Sequence, residues 1–71
     1  MIHPTAKIHR WAVVDETAEI AEGVVVWQFA SILAHVKIGK NVSIGACAEI
    51  GRGTIIGSET RISRGVFLPS N

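Results

Sequence analysis

The chain has 71 residues, 48% of them hydrophobic, and a net charge of +1 at neutral pH. That balance gives no electrostatic reason to expect a nucleic-acid partner; a single cysteine, Cys47, excludes an intrachain disulfide, and no paired Cys/His spacing suggests structural zinc. A lone thiol fits a reducing cytoplasm, the start MIHPTAKIHR lacks the order of a secretory signal, and the most apolar run, GVVVWQFASILAHV, is too short for a membrane-spanning helix. So short a chain buries a modest fraction of its surface, and association with other copies is the expected source of the rest.

In chain order, an aliphatic residue returns at every sixth position: Ile2, Ile8, Val14, Ile20, Val26, Ile32, Ile38, Ile44, Ile50, Ile56, Ile62 and Leu68. Four positions after each stands a small or β-branched residue, from Ala6, Ala12 and Ala18 through Val24, Ala30 and Val36 to Thr54, Thr60 and Val66. Helices repeat near 3.6 and strands near 2; an unbroken hexad is instead the sign of a β-helical solenoid. Each hexad reads as a short strand that turns one aliphatic and one small residue inward around a polar outward one, followed by a turn. Gly39, Gly45, Gly51 and Gly57 come directly after the inward aliphatic, where a side chain would crowd the corner. Gly23, Asn41, Gly53, Gly65 and Asn71 hold the fourth position, where a left-handed backbone is least costly for Gly or Asn. Three hexads close a triangle. The expectation is an all-β protein, a parallel β-helix of about four 18-residue coils, forming one domain over residues 1–71.

Residues 18 apart should then lie one above another. Glu19 falls under Lys37, a cross-strand pair worth a few tenths of a kcal/mol. Trp11, Phe29 and Cys47 share one corner column, with Trp27 beside Phe29, and outward aromatics on a small protein mark a contact surface. Pro4 discourages strand addition at the first coil. At the other edge GVFLPSN offers no polar capping element, so the last coil is expected to be covered, by end-to-end stacking of another chain or by further coils of a longer protein.

The remaining polar residues give weaker signals. Lys37, Lys40, Arg52, Arg61 and Arg64 make the later half basic against Asp15, Glu16, Glu19 and Glu22, which suits a phosphate-bearing cofactor but is better explained as a solvated mixed-charge surface. Cys47 has no histidine in its column and reads as a small residue filling a turn. His3 and His9 fall on different corners and read as surface residues.

The repeated pattern of aliphatic, Gly, two variable residues, small and variable resembles, over residues 2–69, that of the hexapeptide-repeat proteins. The resemblance implies a left-handed parallel β-helix, against the right-handed rule for ordinary crossovers. It also implies acyl transfer from acetyl-CoA or an acyl carrier, and homotrimers with active sites in clefts between prisms. HPTAKIHRWAVVDETAEI (3–20) and VVVWQFASI (24–32) are similar to the N-terminal part of N-acetyltransferases acting on nucleotide-linked amino sugars. Many of those carry Trp-His-Phe with another His two residues on; here Trp27 and Phe29 match, while Gln28 and Ala30 or Ser31 hold the histidine places. Ala46-Cys47 and Arg64-Gly65 stand where relatives have Gln-Asn or Asn-Asn. By this resemblance Trp11, Trp27, Gln28 and Phe29 are the candidate substrate-binding or interface residues, with a nucleotide sugar as the candidate substrate.

Acetyl transfer to an amine wants a base titrating near neutrality. His35, at a turn from which it can project into an intersubunit cleft, is the candidate catalytic residue. The γ-class carbonic anhydrases, another branch of the same fold, hold zinc with three histidines across a subunit interface. Their closely spaced late pair of histidines is missing here, so no metal is expected. Two functions stand open: an acetyltransferase domain, or a non-catalytic structural module that keeps the trimer-forming scaffold.

Overall fold

A computed structural model describes residues 1–70; Asn71, expected at a left-handed corner, lies outside the described residues. Eleven strands of two residues each follow one another: β1 (Lys7–Ile8), β2 (Val13–Val14), β3 (Glu19–Ile20), β4 (Val25–Val26), β5 (Ser31–Ile32), β6 (Lys37–Ile38), β7 (Ser43–Ile44), β8 (Glu49–Ile50), β9 (Ile55–Ile56), β10 (Arg61–Ile62) and β11 (Phe67–Leu68). They stack as three parallel sheets, β1-β4-β7-β10 (the first face), β2-β5-β8-β11 (the second) and β3-β6-β9 (the third). Every register joins residues 18 apart, as in Lys7↔Val25, Val13↔Ser31 and Glu19↔Lys37. The β-helix is therefore present with the expected period. The third face has three strands and gains a fourth layer only through a parallel bridge between Ile2 and Ile20, so complete coils number nearer three than the expected four.

The core is the inward stripe of the hexads. Ile32, Ile44 and Ile50 are fully buried, as are Val24, Val26, Val36 and Val42 from neighbouring layers. Burial of each such side chain contributes about 1.5–3 kcal/mol relative to leaving it exposed. Small Ala18, Ala30 and Ala48 fill the corners between the large aliphatics. Both ends of the stack are looser: Ile8, Val14, Ile62 and Leu68 are only partly buried, and Ile2 is 43% exposed. No helix among the described residues is long and apolar enough to cross a membrane.

Three of the four glycines at the second hexad position have a steric reason. A Cβ on Gly39 would stand 2.6 Å from Ser58 N and one on Gly51 2.5 Å from Leu68 O, with Gly45 closer still to Arg64 N. In each case the obstacle is the turn backbone of the next coil, so the crowding comes from the stack rather than from the local corner. Gly57 differs: nothing lies within 4 Å of its Cβ position.

The corners are built in two ways. From residue 23 onward the fourth hexad position has a positive φ throughout, at Gly23, Phe29, His35, Asn41, Cys47, Gly53, Glu59 and Gly65. Glycine and asparagine were expected there; phenylalanine, histidine, cysteine and glutamate were not, since a left-handed backbone costs such residues about 1–2 kcal/mol each. The flipped peptide offsets that cost by aiming its N–H at the coil beneath: Asn41 to Glu22 O at 3.0 Å, Cys47 to Gln28 O at 3.0 Å, Glu59 to Lys40 O at 2.8 Å. The first coil has no left-handed corner. There the second residue of the hexad accepts the amide of the fourth: Thr5 N–H donates to His3 Nδ1 (3.1 Å), Trp11 N–H to His9 Nδ1 (3.2 Å) and Thr17 N–H to Asp15 Oδ1 (2.9 Å).

One expected contact falls elsewhere. Glu19 and Lys37 are in register, as predicted, but the ion pair found among the described residues joins Lys40 Nζ and Glu22 Oε1 at 3.9 Å, on the adjoining corner. Both side chains are more than half exposed, so the pair adds at most a few tenths of a kcal/mol.

Candidate functional site

The corner between the first and second faces collects the aromatic residues. Trp11 and Phe29 stack with ring centroids 5.8 Å apart and planes 15° from parallel. Two backbone bonds place them: Phe29 N–H donates to Trp11 O (3.1 Å), and Trp11 N–H is held by His9. His9 accepts through Nδ1, so its neutral form carries the proton on Nε2. The His9 ring lies 5.8 Å from that of Trp11, and the Arg10 guanidinium sits 4.9 Å from the Trp11 centroid. A cation over the Trp11 ring, which itself stacks on Phe29, thus stands on an exposed corner. Cys47 continues the column as a free, exposed thiol.

Trp27 does not join this stack. It is half-exposed and lines a shallow groove of about 200 Å³ on the first face, with Lys7, His9 and Val25 as its other outward walls. Gln28 is half-buried and its backbone carbonyl receives the Cys47 amide. The four candidate contact residues therefore split between two surfaces that meet at one edge: Trp11 and Phe29 at the apex, Trp27 turned to the first face, and Gln28 between them.

His35 lies on the next corner, between the second and third faces, and its side chain is exposed. Its left-handed backbone (φ 61°) is held from below. His35 N–H donates to Thr17 Oγ1 at 2.8 Å, and that hydroxyl donates to Asp15 Oδ1 at 2.6 Å. The Thr17 hydroxyl and, next, the Thr17 amide hold the Asp15 carboxyl below its ordinary value of 3.8, with a smaller contribution from the nearby His35 charge. Asp15 and Thr17 escaped the sequence reading as site residues. Their signal is the Asp-Glu-Thr triplet, in which an Asx turn caps its own backbone.

His3 occupies the remaining corner, so the three histidines stand on three different edges of the prism. His3 Nδ1 lies 3.0 Å from Thr5 Oγ1 and accepts the Thr5 amide. A second shallow groove, about 450 Å³, runs past Met1, His3, Glu19 and Ala21. Among the described residues no three His, Cys, Asp or Glu side chains gather as potential metal ligands.

Residues 17–52 and 35–70 each match the signature of the family described as Bacterial transferase hexapeptide (six repeats), and together they span most of the chain. The chain belongs to that family. No curated protein and no solved structure matches it. For a bacterial transferase hexapeptide protein, the left-handed sense expected from the resemblance is the family's own. The match starts at Thr17, just as the side-chain-capped corners end, and covers the coils with left-handed corners.

Proposed function

We propose that this chain is the β-helical module of an acyltransferase that moves the acetyl group of acetyl-CoA to the amine of a nucleotide-linked amino sugar. It works as a homotrimer. The observation that carries this reading is the layout of the second face. One of its edges bears Trp11 and Phe29, the other bears His35, and between them Val13 and Phe67 stand 63% and 61% exposed. A three-fold axis facing that surface apposes unlike edges, so the aromatic corner of one prism meets the histidine corner of the next. Val13 and Phe67 then leave water.

In that cleft the aromatic rings and Gln28 hold the substrate, and His35 is the base. As the amine nitrogen attacks the thioester carbonyl, His35 takes the amine proton; the C–S bond breaks and the thiolate leaves, to be protonated in turn. Thr17 and Asp15 keep the His35 backbone in the setting that projects its imidazole outward.

A second reading is favoured by two specific observations. The three histidines are too dispersed for a proton relay within one chain, and Gln28 replaces the histidine of the similar transferases. A structural module that trimerises without chemistry accounts for both.

Thermal unfolding with millimolar acetyl-CoA separates the two. Ligand at about 100 times its Kd adds about 2.7 kcal/mol, which moves the midpoint of a chain this size by about 10 °C or more. A rise of that order supports the transferase, and its loss in Phe29→Ala ties it to the aromatic corner. An unmoved midpoint, with a trimer still seen by sedimentation, leaves the structural module.

A further inference from the structure

The aromatic corner is a column with one covered side and one open side. Its layers are residues 9–11, 27–29, 45–47 and 63–65, and backbone bonds join the upper ones directly: Cys47 N–H donates to Gln28 O at 3.0 Å and Gly65 N–H to Ala46 O at 2.9 Å. The first two layers carry the rings. Trp11 and Phe29 are nearly parallel, with centroids 5.8 Å apart. A group held in contact with two rings at once needs about 7 Å between them. The Arg10 guanidinium, 4.9 Å from the Trp11 centroid, therefore lies outside the pair, on the side of Trp11 away from Phe29.

The other side of Phe29 has no such cover. The third layer is Gly45, Ala46 and Cys47, and the residue above Cys47 in the column is Gly65. Phe29 is 58% exposed, the Cys47 thiol is exposed, and a Cβ on Gly65 would meet nothing within 4 Å. Two coil layers span about 9.5 Å, room for one more flat ring against Phe29. The third layer has a coil below it and a coil above it, so its own small residues make the ledge. Charge says what kind of ring suits it. No Asp or Glu stands in any layer of this corner, whereas the other two corners hold Asp15 and Glu16, and Glu22 and Glu59. Arg64 is exposed one layer above Ala46, and Lys7 and Arg61 lie on the adjoining first face. The carboxylate nearest to Cys47 along the chain, Glu49, belongs to the second face.

We propose that the ledge over Phe29 binds a nucleoside diphosphate, its base stacked on the ring and its phosphates on Arg64. Stacking accepts any base, since each has a π-face. An arginine with no carboxylate on its corner is free to take a phosphate by two parallel hydrogen bonds. The choice of ligand rests on the transferase reading, whose two substrates, acetyl-CoA and the nucleotide-linked amino sugar, both carry a base and a diphosphate.

Cys47 is the single cysteine and stands at the back of the ledge, so its alkylation by iodoacetamide reports what lies there. A nucleotide at about ten times its Kd leaves about one site in ten free, so UDP and ADP are expected to slow the reaction about ten-fold. Pyrophosphate, which has no ring, should leave the rate unchanged. Phe29→Leu removes the platform and Arg64→Gln the phosphate contact, and each should lower the ratio of rates without and with nucleotide. Acetyl-CoA separates the two sources: protection equal to that by ADP assigns the ledge to the cofactor, and none assigns it to the nucleotide sugar. The proposal is overturned by an unslowed reaction in millimolar UDP and ADP, by equal slowing in pyrophosphate, or by protection that survives both substitutions. A thiol already unreactive without nucleotide also overturns it, because protein then fills the ledge. A melting midpoint raised by acetyl-CoA while no nucleotide protects Cys47 removes this site and leaves the transferase reading standing. Protection by UDP with a midpoint unmoved by acetyl-CoA keeps the site and removes that reading.

Discussion

The first coil and the coils above it use the same hexad and the same register, yet turn their corners by different chemistry. In the first coil a side chain, from His3, His9 or Asp15, accepts the turn amide, and no residue is left-handed. In later coils the amide turns down to the preceding coil and the backbone is left-handed, whatever the residue. The junction joins the two systems. Gly23 and His35 donate to the hydroxyls of Thr5 and Thr17, while Phe29 donates to the carbonyl of Trp11. A corner amide must be satisfied somewhere; a coil with a layer below uses that layer, and a coil without one brings its own acceptor.

The largest expected effect sharpens this contrast between interior and end. Ile44 is fully buried between two layers, so Ile44→Ala leaves a cavity and costs about 2–5 kcal/mol. Ile8 plays the same role in the first coil but is partly exposed, so Ile8→Ala removes less contact and costs less than half as much. Urea unfolding midpoints measure the difference. Equal losses would mean that the first coil is packed as firmly as the middle.

The part of this architecture visible in the sequence is the part set by sterics inside the stack. Aliphatic residues at a spacing of six give the inward stripe, and the 18-residue register follows once three hexads close a coil. Corner conformation was visible only where the residue itself is permissive, at Gly23, Asn41, Gly53 and Gly65. Phe29, His35, Cys47 and Glu59 are left-handed because the coil beneath offers a carbonyl or hydroxyl, an arrangement no single residue type announces. The site divides in the same way. The Trp11–Phe29 stack follows from register, whereas the Asp15–Thr17–His35 chain depends on side-chain rotamers. Register likewise places Glu19 under Lys37, but side-chain geometry puts the ion pair at Glu22 and Lys40.

The next effect probes the junction through Thr17. Thr17→Val removes the acceptor of the His35 amide, a loss of about 1 kcal/mol for one hydrogen bond. It also removes the first cause of the lowered Asp15 pKa. Because the folded value lies below the ordinary 3.8, the stabilisation linked to Asp15 is fully present above that pH. It fades as the pH falls from there through the folded pKa. The Asp15 carboxyl, followed by NMR, should therefore titrate at higher pH in Thr17→Val than in the parent. An unchanged titration would remove Thr17 from the account of this corner.

The smallest effect concerns the left-handed corners themselves and reverses the usual sign. Cys47 has φ 62°, a setting that costs an ordinary residue about 1–2 kcal/mol and glycine almost nothing. Cys47→Gly relieves that strain but gives back about 0.4–1 kcal/mol through the freer unfolded chain. The thiol is exposed, so little packing is lost, and a net gain of about 0.5 kcal/mol is expected from the difference. Thr5→Gly, at the same hexad position in the first coil, has no such strain to relieve. It loses the hydroxyl that accepts the Gly23 amide, and it destabilises. Opposite signs for one substitution type at one repeat position, read from paired urea unfolding curves, would follow only from two kinds of corner; matching signs would mean that the first coil turns as the others do.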